Sequence, residues 1–443
     1  MSPEPDSASH EAVPHGRPIS RGSLVVRVAV VVALALPAMA VRLAGVQPAP
    51  VTGMVVSGAG VLAAAVVLMW AAETARADMS GTLALALLAL IAVLPEYAVD
   101  LYYAWRAGSE PAYTAYAAAN MTGANRLLVG VGWALVVLMF ALGGRRASRR
   151  WQDRRRRPGR PRGPAVWRRH EVVLDERQRA EPGFLALAAV IAFVPALLAE
   201  IGWYVAIALV GLYVAYIVHL ARTPGEAGEE PTGVSARLVA LPRLRRRVVT
   251  WVGFAVGAAI VLASAEPFAE ALVASGDALG IDEFLLVQWL APLASEAPEL
   301  IVAAVLAWRL RGADALGILL SSKINQWTLL VGTLPLAYRA GGGGWSLPLD
   351  SRQTEEVLLT AAQTVLGLAL LIDLSLRRSE AALLFLLFAL QFALPDEHAR
   401  LLLSWVYLAI GFTLLIQRNQ DLGLAVRATV AAPRTGPGPR GPA

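Results

Sequence analysis

Over most of its length the chain alternates between apolar runs of about 20 residues and short polar breaks. A helix rises 1.5 Å per residue, so a run of that length matches the roughly 30 Å hydrocarbon layer of a membrane. The pattern predicts twelve spans, near 25–46, 51–72, 80–105, 113–142, 183–199, 201–220, 248–270, 282–309, 314–338, 354–374, 380–395 and 399–416. Residues 1–24 read as a disordered, Pro-containing cytoplasmic tail, 143–182 as an Arg-rich cytoplasmic loop, 221–247 as a cytoplasmic linker and 417–443 as a second cytoplasmic tail. Segments 25–142 and 183–220 then form a first half, and 248–416 a second.

Composition supports a polytopic all-α membrane protein: 57% of residues are hydrophobic and only 16% are charged, against about 25% charged in soluble domains. Cysteine is absent, which excludes disulfides, thiolate nucleophiles and cysteine metal sites. The net charge of +6 comes from arginine, with Lys323 as the single lysine. Twelve of those arginines and one acid lie between Arg145 and His170, which the positive-inside rule assigns to the cytoplasm. That loop is expected to touch anionic lipid; without aromatic interleaving or a recognisable fold it is not read as a nucleic-acid site. The same placement puts Arg17, Arg21, Arg27, Arg309, Arg311, Arg377 and Arg378 inside, and leaves the Lys- and Arg-free breaks SGDALGID and LPDEH outside. Both termini are therefore expected in the cytoplasm and the protein in a bacterial plasma membrane.

Two apolar runs carry the same acidic word. Pro95-Glu96 in AVLPEYAVD matches Pro298-Glu299 in SEAPELIVA. One helix later each copy has a polar cluster, ANMTGANRLLVGVGW and LLSSKINQWTLLVGTL, and aligning these puts Thr122 on Ser322, Asn125 on Asn325 and Arg126 on Gln326. The topology gives the repeats, about 80–142 and 282–338, opposite orientations, the inverted arrangement common in secondary transporters. Each proline removes a helix hydrogen bond and frees a carbonyl beside its glutamate.

An ionic side chain at mid-membrane costs about 2.5–3.5 kcal/mol on insertion scales. Glu96, Asp100, Arg126, Glu296, Glu299 and Lys323 are all expected at depth, so each must pair, be neutral or face a polar interior. Each copy adds one acid and one base beyond the shared glutamate, as internal ion pairs would require: Asp100 with Arg126, and Glu296 with Lys323. Glu296 reads equally as an extra ligand. Spacings of three or four residues place Glu96 with Asp100, Glu296 with Glu299, Thr122 with Arg126, and Ser322 with Gln326 on shared faces. Carboxylate, amide and hydroxyl oxygens suit a hard cation, and no His joins them, which disfavours zinc and copper.

At these residues the chain resembles the sodium/calcium exchanger family, the cation/calcium antiporters. That resemblance rests on VLPEYAVD with NMTGANRLLVG and on ASEAPELIVA with SSKINQWTLLVG. It implies ten core helices in two inverted five-helix halves, here the second to eleventh spans, with one extra helix at each end. It further implies an antiporter whose metal ligands are Glu96 and Glu299, with Thr122, Asn125, Ser322 and Asn325 as further oxygen donors. Glu296 and Asp100 join the candidate cation-binding set. Arg126, Lys323 and Gln326 are candidate modulators of charge, and Pro95 and Pro298 the helix breaks. Where the family has Thr-Ser before Pro-Glu, the chain has Ala92-Val93 and Ser295-Glu296. The implied activity is exchange of Ca2+, or another cation, for Na+ or H+ by alternating access, with no cofactor. The alternative is a non-transporting scaffold or ion sensor built on a degenerate site. An intramembrane enzyme is not expected: His-Glu-x-x-His, paired aspartates at depth and a serine–histidine arrangement are all missing.

Overall fold

In the computed structural model of the protein, residues 20–75, 78, 94–155, 171–223, 233–394 and 397–430 are described. The first half holds α1 (Arg21–Ala44), α2 (Pro50–Ala75), α3 (Leu94–Ala107), α4 (Tyr113–Leu127), α5 (Trp133–Arg155), α6 (Ala180–Leu198) and α7 (Trp203–Arg222). A short α8 (Gly233–Val239) leads into the second half: α9 (Arg243–Leu279), α10 (Glu283–Trp308), α11 (Gly312–Asn325), α12 (Val331–Ala340), α13 (Ser351–Leu371), α14 (Arg378–Leu390), α15 (Glu397–Gln417) and α16 (Asn419–Val430). Among the described residues nine helical stretches are long and apolar enough to cross a membrane. The other three expected spans correspond to α3, whose expected start at 80–93 lies outside the described residues, to α11 with α12, which carry Asp314 and Lys323, and to the short α14.

The polar segments hold more structure than hydropathy alone suggests. Ser20 caps α1 by accepting a hydrogen bond from the Ser23 amide at 3.2 Å, so this helix starts inside the expected 1–24 tail; residues 1–19 are outside the described set. α5 runs to Arg155 within the Arg-rich loop, whose residues 156–170 are not described. α8 occupies part of the 221–247 linker, of which 224–232 are not described. α16, in the expected C-terminal tail, packs on α6; residues 431–443 are not described.

The two halves are related by an inverted repeat that shows most clearly around α6 and α13. Strands β1 (Glu171–Val173) and β2 (Glu200–Gly202) bracket α6, and β3 (Ser346–Pro348) and β4 (Ser375–Arg377) bracket α13. β1 pairs antiparallel with β4, and β2 with β3, so the two helices are tied together at both ends. Each helix is preceded by the same capping box, Asp175 with Gln178 and Asp350 with Gln353. Each is followed by a left-handed residue, Ala199 (φ 54°) or Leu374 (φ 63°). The Leu174 amide donates to the Leu374 carbonyl and the Leu349 amide to the Ala199 carbonyl, both at 2.8 Å. The words LDERQ (174–178) and LDSRQ (349–353) encode this second repeat.

Between the halves, α2 and α9 pack along their lengths. Small residues allow the approach: a side chain at Gly257 would meet Leu68, and one at Gly60 would meet Ser264. Gly123 of α4 likewise abuts the Gln288 carbonyl of α10, which brings together the two helices that follow and carry the acidic words. At the end of α2, Asp78 takes two hydrogen bonds from the Arg246 guanidinium, at 2.5 and 2.7 Å, with Arg243 and Arg247 also close. These charges hold the Asp78 carboxyl below the usual carboxylate range, with the Arg246 hydrogen bonds the largest cause. Because the folded value is the lower one, this stabilisation is present at neutral pH and is lost as the pH falls through it. Asp78→Asn is therefore expected to lower the thermal midpoint in detergent at pH 7, and the gap from the parent protein to narrow as the pH drops below about 4. A gap independent of pH would contradict the assignment.

Candidate functional site

The acidic words meet inside the bundle. Glu96 is the third residue of α3, and Glu296 and Glu299 lie mid-way along α10 on either side of Pro298. Pro298 has no amide hydrogen, so the Ala294 carbonyl loses its helical donor beside them. Pro95 stands at the described start of α3, and the carbonyl that it would free lies outside the described residues. Glu96 and Glu296 are 4% and 2% exposed, and Asp100 is fully enclosed. The side chains of Glu96 and Glu296 are within hydrogen-bonding reach of each other, and Glu296 is within reach of Glu299. The arrangement thus joins one acid from the first half to two from the second.

Neutral donors surround the three glutamates. Ser322 Oγ of α11 donates to Glu299 Oε2 at 2.5 Å, and Gln326 Nε2 donates to Glu296 Oε1 at 2.6 Å. Tyr97 donates its phenol to Asn325 Oδ1 at 3.1 Å. Several buried atoms have no hydrogen-bond partner: Glu96 Oε1, Glu296 Oε2, Gln326 Oε1, Asn325 Nδ2 and both Asp100 oxygens, although Asp100 lies beside Asn120. Unsatisfied buried oxygens of this kind cost roughly 1–3 kcal/mol each, and more when charged, so a cluster of them marks a place for a ligand. Oxygens of carboxylate, amide and hydroxyl type fit a hard cation. Among the described residues no group of three or more His, Asp and Glu side chains is already spread around a metal position. The acids instead close on one another, and carboxyl groups at that separation must share protons or a cation. Two carboxylates 4 Å apart repel by about 4 kcal/mol at an effective dielectric of 20.

The basic residues do not neutralise this cluster. The expected pairs Asp100–Arg126 and Glu296–Lys323 are absent, since both cations point elsewhere. Lys323 Nζ donates to Asn125 Oδ1 at 2.9 Å and to the Asn125 carbonyl at 3.3 Å, and lies 4.7 Å from the Trp327 ring centroid. Arg126 pairs with Glu356 of α13 at 2.5 Å, donates to Gln391 at 2.8 Å and stacks on Trp289. Arg400 of α15 reaches both Glu355 and Glu356 at 3.3 Å. These two arginines and two glutamates form a second buried charge cluster, which ties an extra helix to the core. Sequence reasoning passed over Glu355, Glu356, Gln391 and Arg400, whose partners lie on distant helices with no shared spacing.

Among the described residues the hydrogen bonds of Thr122 and Asn125 go to partners other than the acids. Thr122 donates back to the Ala118 carbonyl at 2.7 Å and accepts from Gln288 at 3.4 Å; Asn125 donates to the Met121 carbonyl at 2.9 Å. Both polar helices widen into a π turn, Leu128–Gly132 after α4 and Gln326–Leu330 after α11. Such turns re-aim side chains and cluster at functional sites. Aligning the turns pairs Asn125 with Lys323 and Leu128 with Gln326, two residues away from the register that the sequence words suggest. Asn125 and Lys323, one from each half, are in direct contact.

Two inverted halves of five helices, meeting at intramembrane acids, define an inverted-repeat membrane transporter fold. A family model described as "Sodium/calcium exchanger protein" matches residues 49–222 and 249–394. The chain belongs to that family. It is similar to a protein whose crystal structure is described as "H+/Ca2+ Exchanger CAX", at 38% identity and a TM-score of 0.82, over 92% of this chain and 98% of that one. The native structure of YfkE shares the fold, with 16% identity and a TM-score of 0.55 over 87% of this chain and 99% of that one. No curated protein sequence matches the chain.

The second cluster is testable by stability. Glu356→Gln strands Arg126 in the interior and is expected to destabilise the protein by about 3–5 kcal/mol. Adding Arg126→Gln should recover part of that loss, measured by thermal unfolding in detergent. Strictly additive losses would show that the pair does not act as a unit.

Proposed function

We propose that the protein is a secondary-active antiporter exchanging Ca2+ for H+ by alternating access at the glutamate cluster, and that no enzymatic step or cofactor is involved. The observation that carries this reading is the approach of Glu96 to Glu296 across the two halves, with Glu299 beside Glu296 on the same helix and no basic partner among the described residues. In the closed arrangement protons hold the acids together. A divalent cation replaces those protons, draws Glu96 and Glu299 apart to coordinate it, and takes up Ser322, Gln326 and Asn325 as neutral oxygen donors. Either load lowers the charge of the site and with it the cost of enclosing the site in low dielectric. Asp100, one turn beyond Glu96, adds a further carboxyl on the same face. The similarity to a protein described as an H+/Ca2+ exchanger favours protons over Na+ as the coupled ion. The missing hydroxyls at Ala92-Val93 point the same way, since they remove neutral ligands that a second, monovalent site would use. Orientation with both termini in the cytoplasm of a bacterial cell remains part of this proposal, on the arginine bias of the loops.

Reconstituted protein should accumulate Ca2+ in vesicles when a pH gradient alone is imposed. Glu96→Gln and Glu299→Gln should each slow this uptake by about 100-fold, equivalent to the loss of one charged contact of roughly 3 kcal/mol. Because ligands bind metal deprotonated, the apparent affinity for Ca2+ should fall as the pH falls. Uptake driven by a Na+ gradient and indifferent to pH would assign the other coupled ion. Unchanged uptake in both variants would sink the site, and no flux of any cation would favour a scaffold or sensor.

A further inference from the structure

One buried charge has no place in the exchange cycle so far. Lys323, the single lysine of the chain, is fully enclosed on α11, and no carboxylate pairs with it among the described residues. A charge at depth is costly unless its surroundings compensate it. Here they do. Lys323 Nζ donates to Asn125 Oδ1 at 2.9 Å and to the Asn125 carbonyl at 3.3 Å, and stands 4.7 Å from the centre of the Trp327 ring. The Asn125 amide is fixed in this orientation, because its Nδ2 donates to the Met121 carbonyl at 2.9 Å. An ammonium carries three donors and no acceptor. It meets two oxygens and a ring face, which are all acceptors. A neutral amine in the same place would leave its lone pair without a donor.

These partners have the composition of a monovalent cation site. An amide oxygen, a backbone carbonyl and an indole face suit an ion of low charge that needs no carboxylate. The pocket is shared between the halves, with Asn125 from α4 of the first and Trp327 from the second. It also adjoins the acids. Ser322, next to Lys323, donates to Glu299 at 2.5 Å, and Gln326, one turn on, donates to Glu296 at 2.6 Å. Arg126, beside Asn125, is matched by Glu356 and does not share these oxygens. A free ion in the pocket would add a second mobile charge near the glutamates. The lysine makes that charge a fixed part of the chain.

We propose that Lys323 is a tethered monovalent cation: its ammonium fills a cation pocket built by Asn125 and Trp327 between the two halves, and excludes Na+ and K+ from it. Mobile cations are then carried at the glutamates alone, and the background alkali salt leaves turnover unchanged. This consequence for coupling rests on the proton-coupled reading above; the pocket itself does not.

Lys323→Ala removes from the side chain the equivalent of one n-propylammonium ion, which serves as the probe. Isotopic Ca2+/Ca2+ exchange is measured in vesicles at equal pH, with choline, Na+, K+ or n-propylammonium chloride at the same concentration on both sides. The parent protein is expected to be indifferent to the salt. Lys323→Ala is expected to exchange about tenfold more slowly in choline, because two buried oxygens lose their donor. It should regain most of the parental rate with n-propylammonium, Na+ or K+. The same ions should raise its thermal midpoint in detergent and leave that of the parent unchanged, since a ligand stabilises the state that binds it. Lys323→Met keeps the bulk of the side chain without its charge, should be slow in every salt, and carries the test if the smaller side chain does not fold. Exchange and thermal midpoints of Lys323→Ala that are the same in every salt would overturn the assignment, and so would the parental rate in Lys323→Met. A parent protein that takes up no Ca2+ under a pH gradient, alongside a salt-dependent Lys323→Ala, would overturn the coupled-ion reading and leave the pocket standing.

Discussion

The architecture depends on one electrostatic constraint: acids from two halves of the chain are held together in a medium that cannot solvate them. Glu296 lies within reach of both Glu96 and Glu299, Asp100 lies a turn away from Glu96, and no arginine or lysine among the described residues pairs with them. Repulsion of several kcal/mol per ionised pair is not supportable without protons or a cation. In the proposed exchange cycle the cluster is stable only when loaded with protons or a cation. The surrounding helices supply neutral donors, Ser322 and Gln326, which hold carboxyl groups without fixing their charge.

The rest of the fold keeps those acids in place while allowing the halves to differ. The β1–β4 and β2–β3 pairs clamp α6 against α13 at both ends, and glycines let α2 approach α9 and α4 approach α10. Symmetry in the backbone is not matched in charge. Lys323 bonds Asn125 of the other half, and Arg126 is absorbed by Glu356 together with Arg400 from outside the ten-helix core. The fixed cations of this region thus bond other partners, and the acids keep no basic partner among the described residues.

Much of this was legible in the residues. Apolar run length marked the helices, and Pro-Glu words in opposed orientation marked the acids, because local spacing and hydropathy encode both. The partners of Arg126 and Lys323 were not legible: each is set by helix packing between distant segments, and charge counting within a repeat pointed to the wrong acids. Short words such as LLVG recur at Leu127–Gly130 and Leu329–Gly332 in a frame that differs from that of the asparagines, and the π turns begin in a third frame, because each helix widens at its own point. The LDERQ and LDSRQ words were present but lie in polar breaks, where a hydropathy reading gives them no weight.

Calorimetric titration of the purified protein with Ca2+, in buffers of differing ionisation enthalpy, tests the central claim most directly because it counts protons displaced per ion bound. If the acids are held together by protons that the cation replaces, Ca2+ binding must release protons, and Glu299→Gln must reduce that release. Binding of Ca2+ without proton release at neutral pH would show that the glutamates are already ionised, and would contradict the account.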